Sequence, residues 1–183
     1  GRPVNAIRLQ HPHSGLGLEL LEYGAALRAV EVPLADGRVL NTVLGYDSLA
    51  EYEADQAYVG VVVGRCANRI ANSSAIIDGE RLNLTANEGR HHLHGGARGF
   101  GKALWRLIDV SDGVTPTALL AHFSPDGEEG YPGDLSVQME IKITGELSFS
   151  VTLTATSTRT TPFNPTLHAY FNLDGFNVGE PGS

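Results

Sequence analysis

Val137 to Ala155 reads VQMEIKITGELSFSVTLTA. Val137, Met139, Ile141 and Ile143 alternate with Gln138, Glu140 and Lys142. After Thr144-Gly145-Glu146, residues Leu147, Phe149, Val151, Leu153 and Ala155 alternate with serines and threonines. A strand turns successive side chains to opposite faces, so a period of two gives one core face and one wet face. Two such runs around a glycine turn predict an antiparallel pair.

Working outward, Trp105–Val110 and Ala118–Phe123 predict two further strands around the turn SDGVTP. Toward the N-terminus, Asn5–Leu9, Leu16–Leu21 and Leu27–Val32 read as three strands, the last stopped by Pro33. Asp78-Gly79 supplies the positive φ of a two-residue hairpin turn between Ala75–Ile77 and Glu80–Leu84. Val61–Val63 is a short apolar run expected to be buried and to lead into Gly64-Arg65. Ser48–Tyr58 is the one helical piece, with Ser48 as its cap. Many short strands, Gly/Pro turns and almost no helix predict an all-β sandwich or barrel. No repeat or linker divides the chain, so residues 1–183 are expected to form a single domain. The Gly/Pro-rich close NLDGFNVGEPGS follows a strongly patterned segment and reads as a chain cut short.

A length of 183 residues, 42% hydrophobic content and 19% charged content fit an ordinary globular domain. The net charge of −8 argues against nucleic acid, whose phosphates need a basic face, but not against neutral polar ligands such as sugars. Cys66 is the single cysteine, which excludes a disulfide within the chain and a cysteine-based zinc site. No apolar run approaches the roughly 20 residues that span a bilayer, and no signal-peptide pattern opens the chain. A cytoplasmic address and no membrane partner are therefore expected.

Chemistry concentrates in Gly64–Phe100, GRCANRIANSSAIIDGERLNLTANEGRHHLHGGARGF. Polar groups this dense between apolar strands are costly to bury without partners, so the segment reads as the wall of a cleft. Arg65 and Arg69 follow a buried run, where arginine commonly serves a ligand or a carboxylate. For Asn68 and Arg69 to reach one ligand, the strand must bulge or end there. His92 and His94 share a face on a regular strand, as two metal ligands would. No acidic residue follows His94 before Asp109, so a local third ligand is lacking and no metal is expected. His168 lies in TPFNPTLHAYFNL, where prolines impose extension and aromatics follow. Its imidazole is a natural proton donor near neutral pH; the competing reading is a core histidine. His122 stands alone on a strand. Gly95-Gly96 makes a flexible turn with no helix behind it, a weak phosphate cradle. Glu128 and Glu129 read as the tip of a solvated loop, and Cys66 as a small buried residue.

GRCANRI, IDGERLNL, NEGRHHLHGGARGF, Trp105, SPDGEEGYPG and HAYFNLDG stand in the order seen in aldose 1-epimerases, or galactose mutarotases, and the chain resembles that family. The resemblance runs from about Gly64 to Gly175. It implies a large antiparallel β-sandwich with an open sugar cleft, incomplete here at its C-terminal side. It implies interconversion of α and β anomers of hexoses such as galactose and glucose, with no cofactor. Asn68 and Arg69 resemble the family's sugar-binding pair. His94 resembles the histidine that binds substrate near the ring oxygen, and His168 the general acid on that oxygen. The family's sugar-binding aspartate and general-base glutamate lie downstream of Ser183, so low activity is expected of this chain alone. Leu167 departs from the family's usual asparagine. Two other expectations stand beside this one: a non-catalytic carbohydrate-binding module of the same fold, and a metal-dependent β-barrel enzyme using His92 and His94.

Overall fold

Residues 3–176 are described by a computed structural model. The Gly/Pro-rich close from 177 onward, read above as an interrupted end, lies outside the described residues. The first four strands, β1 (Ala6–Gln10), β2 (Gly17–Leu21), β3 (Leu27–Pro33) and β4 (Val39–Asn41), form an antiparallel sheet in sequence order. A short helix, α1 (Leu49–Ala54), follows. Five short strands come next: β5 (Val62–Val63), β6 (Arg69–Ile70), β7 (Ser74–Ile77), β8 (Glu80–Asn83) and β9 (His92–Leu93). The second antiparallel sheet is β10 (Arg106–Ser111), β11 (Thr117–Ser124), β12 (Leu135–Gly145) and β13 (Ser148–Ser157), again in order. β14 (Thr166–Leu167) returns to pair with β5, β6 pairs with β9, and β7 with β8.

The alternation in β12 is realised. Leu135, Val137, Met139, Ile141 and Ile143 are at most 2% exposed. They share one core with Ile7, Leu9, Leu18, Leu20, Leu27 and Val30 of the first sheet, and with Trp105. Each such aliphatic side chain contributes about 1.5–3 kcal/mol through its burial. Two antiparallel sheets around this core make a sandwich, one of the two all-β architectures the pattern leaves open.

β13 departs from the expectation in two ways. Leu147 sits in the two-residue Glu146-Leu147 turn and is 67% exposed; the ladder passes a register irregularity between Ile143 and Gly145 and its last pair is Gly145 with Ser148. Phe149, Val151, Leu153 and Ala155 do face the core but are only half-buried. β13 is the last strand of its sheet, so its inward side chains meet the core from one side.

The helix is capped at Ser48 as expected, in a capping box with Glu51. It stops at Ala54 rather than Tyr58. The Asp55 carboxylate accepts the N–H groups of Ala57 (2.8 Å) and Val59 (2.9 Å), offering that backbone an alternative to helical bonding.

Candidate functional site

β5 runs into Gly64-Arg65, and Arg65 does not serve a ligand or a carboxylate. It is 1% exposed, and its guanidinium donates to Ser124 Oγ, to the carbonyls of Ser124, Pro125, Pro132 and Gly133, and to Thr161 Oγ1. This one cation ties both ends of the Ser124–Gly133 loop to the stretch that leads to β14. Burial lowers its pKa, but an arginine remains charged.

Strand geometry breaks at Asn68, as a shared ligand for Asn68 and Arg69 requires. Asn68 has φ 63°, in the left-handed region that asparagine tolerates, and its Oδ1 accepts the Arg69 N–H. Arg69 is half-exposed and forms a two-pronged ion pair with Glu88. That pairing raises the Arg69 pKa and lowers that of Glu88.

His94 follows β9 and also has a left-handed backbone, with φ 52°. Its N–H donates to the Asn68 carbonyl (3.1 Å), while the Asn68 N–H donates to His94 Nδ1 (3.0 Å). Nδ1 is therefore an acceptor, and in the neutral ring the proton sits on Nε2, which is left to donate to a ligand. Burial, then the charges of His168 and Arg69, push the His94 pKa below the usual imidazole value; Glu88 opposes them. Behind His94, Gly95 has φ +91°, and a Cβ there would lie 1.6 Å from the Gly64 carbonyl oxygen. A Cβ on Gly96 would lie 2.2 Å from Glu129 Oε2. Glu129 is not a solvated tip: its carboxylate accepts the N–H groups of Ala97 (3.2 Å) and Arg98 (2.7 Å) and so pins the loop after His94.

His168 follows β14. Its N–H donates to the Val61 carbonyl (2.8 Å), and its own carbonyl accepts from Gly60 N–H (3.0 Å). Leu167 pairs with Val62 in β5 and packs partly against the core. The His94 and His168 rings meet edge-to-face, with centroids 5.1 Å apart. Tyr58 lies 4.6 Å from the His94 ring and 6.1 Å from that of His168. Tyr170 lies 5.1 Å from His168, and its hydroxyl donates to the Ala57 carbonyl (2.8 Å). Asn68, Arg69, His94 and His168 thus gather in one region. A cavity of about 210 Å³ opens beside His94, lined by Asp55, Gln56, Tyr58, Asn87, His94 and Lys102 among others. Of the four expected site residues, His94 alone is on its wall.

Two of the other histidines, His92 and His122, are engaged within the protein. His92 is fully buried, with Nδ1 2.7 Å from the Thr85 carbonyl and Nε2 2.7 Å from the Tyr131 hydroxyl. With both ring nitrogens engaged, and with His94 turned off the strand by its φ, the pair does not present two metal ligands on one face. Among the described residues no cluster of three or more His, Cys, Asp or Glu could hold a metal ion. The metal-enzyme expectation is not favoured. His122 packs between Trp105 (5.4 Å) and Phe100 (5.3 Å), and burial depresses its pKa to about 4. Sequence reasoning missed Tyr58, folding it into the helix; the signal was Asp55, whose side chain captures the next backbone amides so that the helix ends four residues earlier, at Ala54. No helix among the described residues is long and apolar enough to cross a membrane.

The family model for aldose 1-epimerase matches residues 5–180. The chain belongs to the aldose 1-epimerase family. It is similar to the aldose 1-epimerase of Escherichia coli (strain K12), with 38% identity over 175 residues, which are 96% of this chain and 49% of that protein. It is similar to the galactose mutarotase of Bos taurus, with 42% identity over 160 residues, 87% of this chain and 45% of that protein. The chain thus spans about half the length of the curated relatives it matches. Among solved structures, an aldose epimerase homologue from C. elegans superposes with a TM-score of 0.86 at 32% identity, over 95% of this chain and 52% of that one. A galactose 1-epimerase from Lactobacillus acidophilus gives a TM-score of 0.80 at 29% identity, over 94% of this chain and 54% of that one. The sandwich is therefore the mutarotase-like fold of the aldose 1-epimerase family.

Proposed function

We propose that the protein carrying this chain is an aldose 1-epimerase acting on hexoses such as galactose and glucose, in the cytoplasm and without a cofactor. The observation that carries this reading is the edge-to-face contact of His94 and His168 beside Asn68 and Arg69 in a member of this family. Residues 1–183 are read as one domain, the N-terminal portion of a longer family-type sandwich. Anomer interconversion opens a hemiacetal: a proton leaves the anomeric hydroxyl while another reaches the ring oxygen, and the two groups exchange roles on closure. His168 is the acid that protonates the ring oxygen. His94, neutral and carrying its proton on Nε2, donates a hydrogen bond nearby without competing as an acid. Asn68 and Arg69 hold sugar hydroxyls. Glu88 is engaged by Arg69, Glu129 by backbone amides and Asp55 by Tyr46 and two backbone amides, so the base opposite His168 is read as a separate group.

Polarimetry of pure α-galactose tests the reading. The intact gene product is expected to accelerate mutarotation, and His168→Gln to lower the rate by about 10²-fold or more, the usual share of a general acid. This chain alone is expected to bind galactose and show little acceleration. Binding without acceleration by the intact product would favour the sugar-binding module, and absence of both would remove the proposal.

A further inference from the structure

We propose that Tyr58 is a positioning residue for the histidine pair: its ring, wedged against His94 on a strap that also carries the His168 backbone, sets the angle between the two imidazoles and keeps water off His94. The strap is 57–61. Asp55 anchors its start by accepting the Ala57 and Val59 N–H groups, and is held in turn by the Tyr46 hydroxyl (2.9 Å). The peptide between those two bonds has to reverse, and Tyr58 takes the left-handed φ of 58°. A bulky residue adopts that conformation only where its surroundings enforce it. The reversal brings the phenol ring within 4.6 Å of His94. The far end of the strap pairs with His168, through His168 N–H to Val61 O and Gly60 N–H to His168 O. Tyr170 adds a third tie, its hydroxyl reaching Ala57 O. One segment of five residues therefore holds one histidine by its backbone and the other by a ring contact.

The charges facing His94 are those of His168, Arg69 and Glu88, and those facing the Tyr58 phenol are Glu88 and Asp55. The phenol pKa is raised, chiefly by burial, so Tyr58 stays neutral over the working range. Its effect on His94 is therefore through shape and exclusion of water.

The test is NMR of the histidine side chains in this chain, which requires no activity and does not depend on the sugar reading. In the unsubstituted protein the His94 ring protons are expected to be shifted by the Tyr58 ring current and to show cross-peaks to both Tyr58 and His168. Tyr58→Phe keeps the ring and is expected to keep these signals and the low His94 titration. Tyr58→Leu is expected to lose the shift and move the His94 titration up toward the ordinary imidazole value, with His122 unchanged as a control of folding. Absence of the ring-current shift in the unsubstituted protein overturns the proposal, whether or not Tyr58→Leu folds. So does a folded Tyr58→Leu with unaltered His94 titration, or equal effects of Phe and Leu.

Discussion

A methyl group on Gly95 would meet the Gly64 carbonyl oxygen at 1.6 Å, and the φ of +91° is closed to other residues at little cost. Gly37 has a similar φ of +86° but open space around it. Gly95→Ala is therefore expected to cost upward of about 3 kcal/mol or to prevent folding, whereas Gly37→Ala costs about 1 kcal/mol. Urea denaturation of the two variants separates steric collision from backbone conformation; equal costs would contradict the close approach. A second residue-scale expectation concerns His122, whose pKa falls from 6.5 to about 4 on folding. The unfolded chain then binds the proton first, so the stabilisation is complete above about pH 6.5 and is lost as pH falls toward 4. The full effect is about 3 kcal/mol. The urea midpoint should fall across that window and fall less in His122→Phe; parallel curves would refute the assignment. His92 and His94 are shifted in the same direction and add to the slope. At this scale the sequence names residues better than roles. GRCANR flagged Arg65 and Arg69 alike, yet one is buried under six acceptors and the other is exposed, because that difference depends on where Ser124 to Gly133 folds back.

Elements were the most legible level. The period of two located β12 and most of β13, Asp78-Gly79 located the β7–β8 hairpin, and Ser48 located the start of α1. What escaped was the end of α1, decided by a side chain that captures backbone amides. The return of β14 to β5, across roughly a hundred residues of chain, was equally hidden, since no local pattern announces a distant partner. The Ser124–Gly133 loop also looked free from its Gly/Pro composition. In the structure Arg65 and Glu129 fasten it to β5, to the stretch before β14 and to the loop after His94. Arg65→Lys retains the charge but loses the fork of donors that serves four carbonyls and two hydroxyls. It is expected to destabilise the protein by about 3–5 kcal/mol, the cost of leaving buried groups unpaired. A urea midpoint close to that of the unsubstituted protein would show that lysine or water satisfies those acceptors.

Taken whole, the molecule is a sandwich whose second sheet ends in a long, half-covered strand. β13 offers Phe149, Val151, Leu153 and Ala155 partly exposed, and within the described residues its outer edge has no partner strand. Unpaired edges are templates for association. The chain as given is expected to associate with increasing concentration by light scattering. Lysine at the exposed Thr152 and Thr154 is expected to shift it toward monomer without touching the core. A monomer at every concentration would show that the edge protects itself. The all-β class was readable from the strand pattern, with sandwich and barrel both left open, but the sheet's open side was not, because burial on β13 depends on what lies beside the sheet and not on the strand's own sequence. Arg65 carries one more consequence. Its guanidinium grips the main chain on both flanks of the 124–133 loop, and Asp126 additionally bonds to Gly133 N–H. A protease nick at Gly127 would leave two stumps clasped by the same cation, so the cleaved halves should travel together on a native gel and part only in denaturant.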